Sequence, residues 1–271
     1  MSNDVKTNMG QIQSTFLGVQ EFMQQDHTLE DLTTHLDSLP SRFRSVAYES
    51  ASMQLGLHEL TASSDLYLWN QFYEQSRDTH SFHIEIGLGW AQAKTSVIPD
   101  IEMWTRKSIS RTMICDGIGY YFSLFKGRST ILNQQIPKFI VHEDHDGFDQ
   151  GVGRRLWYHA EGNEEALAKL ISQFSRHRLA ALWRGIGIAW GYVGGKSSDD
   201  ATIIVELSDS YDKQFKTGLI LAAISRMASG AMVGELTTTC KEHCGHTEDN
   251  LLELYKLYLN DPNAHIGSFN L

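Results

Sequence analysis

The chain has 271 residues, 41% hydrophobic and 21% charged, with a formal net charge of −10 and no basic run to offset it. That balance excludes nucleic acid and anionic membrane surfaces as partners, and no apolar stretch approaches the length of a membrane span. The N-terminal "MSNDVKTNMGQIQST" lacks the apolar core of a signal peptide, so a cytoplasmic protein is expected.

Three cysteines (Cys115, Cys240, Cys244) do not make a disulfide framework, and four prolines leave room for long helices. The expected class is all-α, as one domain over residues 1–271. Residues 1–27 read as an irregular N-terminal segment. Thr28 then caps "TLEDLTTHLDSL", and the helix "SRFRSVAYESASMQLGL" follows Pro40. Leu66, Tyr67 and Trp69 read as packing residues of an outer helix. Gly127–His145 reads as a loop with one short helix. Asn163 caps "NEEALAKLISQF", which has two acids in its first turn. "RHRLAALWRGIGIAWGYV" forms a helix stopped by Gly194 and Gly195. "SDDATIIVELSDSY" and "DKQFKTGLILAAISRMASG" repeat that plan, and 234–271 form a helical cap that includes "TEDNLLELYKLYLN".

One pattern recurs along the chain. "ESASM", "IGLGW", "DGIGY", "QGVGR", "RGIGI" and a weaker "TGLIL" each place a small residue before an apolar one, and all but the last then add a second small residue. Their first small residues, at 50, 87, 117, 151, 185 and 218, lie 37, 30, 34, 34 and 33 apart. A period near 34 fits a helical hairpin. The expected architecture is about six such hairpins, closed as an α/α toroid or open as an α-solenoid. At 100° per residue the two small positions lie about 200° apart, on opposite flanks of a helix squeezed by a neighbour on each side. The residue before the first small position and the one three after it should then point into the concavity.

Those positions carry the candidate site. Glu49, Asp116, Gln150, Arg154 and Arg184 place acids, an amide and arginines on one wall, with Trp90, Tyr120 and His83 on the same face. Asp116 and Glu49 are candidate proton donors or acceptors, with Asp149 a third acid. Arg154 and Arg184 would orient an anionic group. Trp90, Tyr120, Trp157 and Trp190 offer π-faces to a developing cation, although the last two are not at ideal inward positions. The competing interpretation is a structural network in which these charges pair between neighbouring helices.

Metal chemistry has weaker support. "EDHDGFDQG" is acid-rich and could attract Mg²⁺, but its spacing matches no metal loop. "CKEHCGH" lacks a second ligand pair for zinc. No cofactor is expected.

"GFDQGVGRRLWYHAEGN" and "LWRGIGIAWGYVGG", with "VAYESASMQLGL", "IEIGLGWAQAK" and "DGIGYYFSLFKGR" before them, resemble the recurrent blocks of the UnbL-type family, domain of unknown function 1702. These are uncharacterised bacterial proteins encoded beside enediyne polyketide synthases. The likeness runs from roughly Thr28 to Cys244, with Arg154-Arg155 where the family has Arg-Ser. It carries over no catalytic residue and implies a setting in bacterial natural-product biosynthesis. The expected function is a cofactor-independent cyclase, isomerase or lyase acting on an apolar unsaturated substrate. The alternative is a non-catalytic scaffold or chaperone holding a polyketide intermediate or a synthase partner.

Overall fold

The structure, a computed structural model, describes residues 4–62, 65–97 and 108–265. Among these there is no strand, and no helix is long and apolar enough to cross a membrane. In chain order the helices are α1 (Val5–Phe22), α2 (Leu29–Ser38), α3 (Ser41–Ala62), α4 (Tyr67–Thr95), α5 (Arg111–Phe125), α6 (His145–His159), α7 (Glu164–Ile171), α8 (Leu179–Val193), α9 (Ser198–Ser208), α10 (Asp212–Ala228), α11 (Gly234–Cys244), α12 (Glu248–Asn260) and the single turn α13 (Pro262–His265).

Local chemistry sets many of the starts. Thr28, Ser197 and Thr247 each form a capping box with the residue three on, and Asn163 accepts from the backbone N–H of Ala166. Helix α4 is capped from a distance, because the Glu59 carboxylate accepts from the backbone N–H groups of Leu68 (2.7 Å) and Trp69 (3.0 Å). Gly194 ends α8 at φ 65°.

Helices α3, α4, α5, α6, α8 and α10 pack side by side in that order. Ser45 meets His80, Ser52 meets Ile84, and Gly56 faces Ala91. Residue numbers climb together along both helices, so α3 and the second half of α4 run parallel. Asp149 with Arg178 and Gln150 with Arg184 show the same register between α6 and α8. Parallel neighbours require a return segment each time. Between α6 and α8 it contains α7, and between α8 and α10 it contains α9.

Between α3 and α4 the return is made inside α4 itself. The Ser52 hydroxyl accepts from the Trp69 indole (2.7 Å) and donates to the Ile84 carbonyl (2.5 Å). A straight helix would hold residues 69 and 84 about 22 Å apart, so α4 folds back between them. The stretch with Leu66 and Trp69 is therefore the outer limb expected there, although Tyr67 is exposed.

The small-residue pairs do what their 200° spacing requires. A methyl on Gly151 would overlap the backbone oxygen of Asp116 in the preceding helix, and one on Gly153 would overlap that of Leu182 in the following helix. Gly185 and Gly187 repeat the arrangement against Gln150 and Phe215. The first glycine always meets the carbonyl of the residue just before its predecessor's first small position. Such contact brings Cα–H groups onto carbonyl oxygens. The apolar residues between the glycines, Leu88, Ile118, Val152 and Ile186, are all buried.

The ends of the row depart from the pattern. In α3 the pair is Ser50 and Ser52, and Ser50 donates to the Phe16 carbonyl of α1 (2.7 Å). In α10 the second small position is Ile220, and α10 also packs against α4, α11 and α12. Ser225, near the end of α10, lies 3.4 Å from His83 of α4.

Two expectations change. The segment read as irregular, 1–27, contains a helix, Val5–Phe22, and its first three residues lie outside the described ones. The buried residues of the helix, Val5, Asn8, Ile12 and Val19, have helical spacing, but one is polar, no side chain caps the start, and Gly10 and Gly18 interrupt the run. The stripe is too thin to read from sequence. In the Gly127–His145 region there is a five-residue π turn, Arg128–Leu132, and a single 3₁₀ turn, His142–Asp144.

Candidate functional site

The helices of the row, with α1 laid across them, enclose a cavity of about 760 Å³, within the range of small-molecule sites. Its wall follows a simple rule. Counting from the first small residue of each helix, most lining side chains stand at −4, +3, +4 or +7, with Glu49 and Ile86 at −1 and Phe82 and Phe125 one step outside those positions. Examples at the four main positions are Val46, His83 and Met113; Met53, Trp90, Tyr120, Arg154, Ile188 and Leu221; Arg155; and Tyr158, Tyr192 and Ser225. From α1 come Met9, Ile12 and Phe16. The mouth is marked by exposed Leu17, Leu124 and Phe125 (58% exposed) and by the solvent-facing ion pair Lys6–Glu161 at 2.6 Å.

Of the predicted residues, Glu49, His83, Trp90, Tyr120 and Arg154 line this cavity. Asp116, Gln150 and Arg184 do not. They stand at −1, a position that reaches the cavity in α3 and α4, as Glu49 and Ile86, but in α5, α6 and α8 leans toward the neighbouring helix, where these side chains bond to one another. Asp116 accepts from Arg154 (2.5 Å) and from the Gln150 amide (2.7 Å), and Gln150 in turn accepts from Arg184 (2.5 Å). Arg184 also donates to the Asp146 carbonyl at 3.3 Å. Asp116 is completely buried, so it works on the cavity through Arg154.

Asp149 is elsewhere. It holds Arg178 through both carboxylate oxygens, at 3.1 and 2.9 Å to Nε, in a buried pair that also ties Arg178 to the Gln134 carbonyl. Trp157 and Trp190 are core residues away from the cavity, buried at +6 and +5. Sequence reasoning missed Tyr158, Tyr192, Arg155 and the whole contribution of α1. The two tyrosines could have been found by continuing the inward face one turn, to +7.

Electrostatics single out one proton carrier. Burial pushes Glu49 from the usual carboxylate value to about 7, and Asp116 adds to the rise while Arg154, 4.0 Å away, opposes it. Burial lowers the Arg154 guanidinium, but Asp116 and Glu49 outweigh it and hold the group above its ordinary value. Its guanidinium also lies 5.1 Å from the Tyr120 ring centroid. Burial pushes Tyr120 and Tyr192 up to about 12 and drives His83 well below its usual range. The interior of the cavity thus presents neutral phenols, a neutral imidazole, the guanidiniums of Arg154 and Arg155, and one carboxyl, Glu49, that titrates near neutral pH.

Among the described residues no group of three or more His, Cys, Asp or Glu side chains is placed to hold a metal ion. The acids of 143–149 are separated by their partners, because Asp144 pairs with Arg111 (2.6 Å) and Asp149 with Arg178. In "CKEHCGH", Cys240 is buried, and His243 bonds the Ser198 carbonyl at 3.0 Å.

A family model described as "Protein of unknown function (DUF1702)" matches residues 1–266. The chain belongs to the DUF1702 family. No curated protein and no solved structure matches it. The DUF1702 match includes α1, so the helix that covers the cavity belongs to the family unit.

Proposed function

We propose that this DUF1702 protein is an acid–base isomerase or cyclase for an apolar, unsaturated molecule held in the cavity. The observation that carries the proposal is Glu49, a buried carboxyl facing an aromatic-lined space with a pKa near 7. A group poised there both gives and takes a proton at neutral pH.

In the proposed reaction the protonated Glu49 adds its proton to one carbon of a double bond and leaves a cation on the other. The rings of Trp90, Tyr120 and Phe16 face that charge. The Glu49 carboxylate, steadied by Arg154, then removes a proton from a neighbouring carbon. The proton returns to Glu49, and the product is an isomer of the substrate. Asp116 neutralises Arg154, so the guanidinium beside Glu49 does not oppose the cation. A closed six-repeat α/α toroid, and a place in bacterial natural-product biosynthesis of the enediyne-associated kind, are the architecture and setting that accord with this reading.

The test needs no known substrate. The protein is incubated with a bacterial lipid extract in D₂O, separated from free lipid, and its retained molecules are analysed by mass spectrometry. Expected is a retained apolar molecule that gains deuterium or is recovered as an isomer, with Glu49→Gln retaining the same molecule unlabelled. Retention without labelling or isomerisation by the unaltered protein would favour a non-catalytic carrier. No retained molecule would overturn the cavity as a binding site.

A further inference from the structure

The arginines around the cavity are not equivalent. Arg154 is matched by Asp116 at 2.5 Å and by Glu49 at 4.0 Å. Arg226 is buried and donates to the carbonyls of Tyr192 and Ala231, and its guanidinium lies 4.4 Å from the Tyr192 ring centroid. Arg226 thereby serves a carbonyl at the end of α8, where a cation is favoured, and one just past the end of its own helix.

Arg155 differs from both. It lines the cavity, it is half-buried, and its Nε is shielded from solvent without a hydrogen-bond partner. No carboxylate among the described residues forms an ion pair with it. The two lining carboxylates are engaged elsewhere, Glu49 by Arg154 and Glu161 by Lys6. Arg155 also acts on the Tyr120 hydroxyl, opposing the rise that burial causes. A guanidinium held against an apolar cavity without a counter-ion favours an anion, which it can grip through two parallel N–H groups.

We propose that Arg155 anchors an anionic headgroup, so that the molecule in the cavity is an amphipathic acid. This rests on the reading of the cavity as a ligand site and narrows its substrate class. The apolar body lies among Phe16, Trp90 and Tyr120, and the carboxylate or diphosphate end lies at Arg155, toward the mouth where Lys6 also stands. The assignment moves the anion-binding role from Arg154, paired with Asp116 and Glu49, and from Arg184, which bonds Gln150 and the Asp146 carbonyl away from the cavity, to Arg155.

The test uses a fluorescent conjugated polyene fatty acid, parinaric acid, and its methyl ester, titrated into the full chain while tryptophan emission is followed. The acid should bind about tenfold more tightly than the ester, the value of one charge-assisted contact. In Arg155→Met the acid should fall to the affinity of the ester, with ester binding unchanged as evidence that the cavity is intact. Arg155→Lys should keep part of the preference. Competition by farnesyl diphosphate against farnesol distinguishes the headgroups: a diphosphate site makes the former the stronger competitor, and a carboxylate site leaves the two alike. Equal binding of acid and ester by the unaltered protein, or a preference that survives Arg155→Met, overturns the anchor and leaves the cavity standing. Failure of both probes to bind overturns the anchor together with the ligand-site reading.

Discussion

Replacing Glu49 with glutamine keeps the shape of the side chain and removes its proton equilibrium. In the folded chain Glu49 ionises near pH 7 rather than at its usual 4.5. Between those values the native state holds a proton that the unfolded state has released, so the native carboxyl loses stability as pH rises. The shift of about 2.5 units, at about 1.4 kcal/mol each, corresponds to roughly 3 kcal/mol. Urea denaturation of both proteins at half-unit intervals from pH 4 to 8 reads this directly. Glu49→Gln should gain on the unaltered protein by about 1.4 kcal/mol per pH unit between 4.5 and 7, and the difference should level off above that. The shifts of groups remote from Glu49, including Glu85, cancel in the comparison. Two stability curves that stay parallel across this window would refute the assignment of a near-neutral carboxyl to the cavity.

Asp116→Asn should lower the pH at which Glu49 titrates, because it removes a negative charge that raises Glu49 and leaves Arg154 to act on it alone; the Glu49 carboxyl carbon resonance followed against pH checks the direction. Gly185→Ala should cost about 3 kcal/mol or more in thermal unfolding, since the methyl meets backbone rather than a movable side chain, whereas Gly10→Ala, with open space around it, should stabilise α1 by about 0.5–1 kcal/mol. Asp149→Asn should cost about 3–5 kcal/mol by leaving Arg178 buried without its counter-charge, yet leave binding of apolar probes to the cavity unchanged.

How far the sequence reaches can be traced residue by residue. The glycine pairs were legible because backbone contact on two flanks imposes a 200° rule that one sequence can display. The inward face was legible for the same reason, which brought Glu49, His83, Trp90, Tyr120 and Arg154 to the cavity. Asp116, Gln150 and Arg184 were misplaced because the inward direction is centred on +3 and +7, and −1 reaches the cavity at the start of the row, as Glu49 and Ile86, but not further along it. The −1 position is rotated some tens of degrees toward the next helix, an offset set by how neighbouring helices cross. Arg155 escaped because its meaning depends on the partners it lacks, and only coordinates show that Glu161 is held by Lys6. Helix α1 escaped because four buried positions in eighteen residues leave little hydrophobic pattern to read.

The glycine contacts also separate two properties that proteins often tie together. Where helices meet through side chains, changing a side chain changes the spacing. Here the carbonyls of Asp116, Gln150 and Arg184 rest on the α-carbons of the next helix, so the interval between helices is fixed by atoms that every residue shares. The side chains at −4, +3 and +7 therefore hang from a frame whose dimensions do not depend on them. Substitutions such as Met53→Phe or Ile188→Ala would reshape the space between the walls while the walls stay where they are. The fold is in this sense a chassis of fixed gauge, and relatives sharing its glycines could carry differently shaped ligands without rebuilding it.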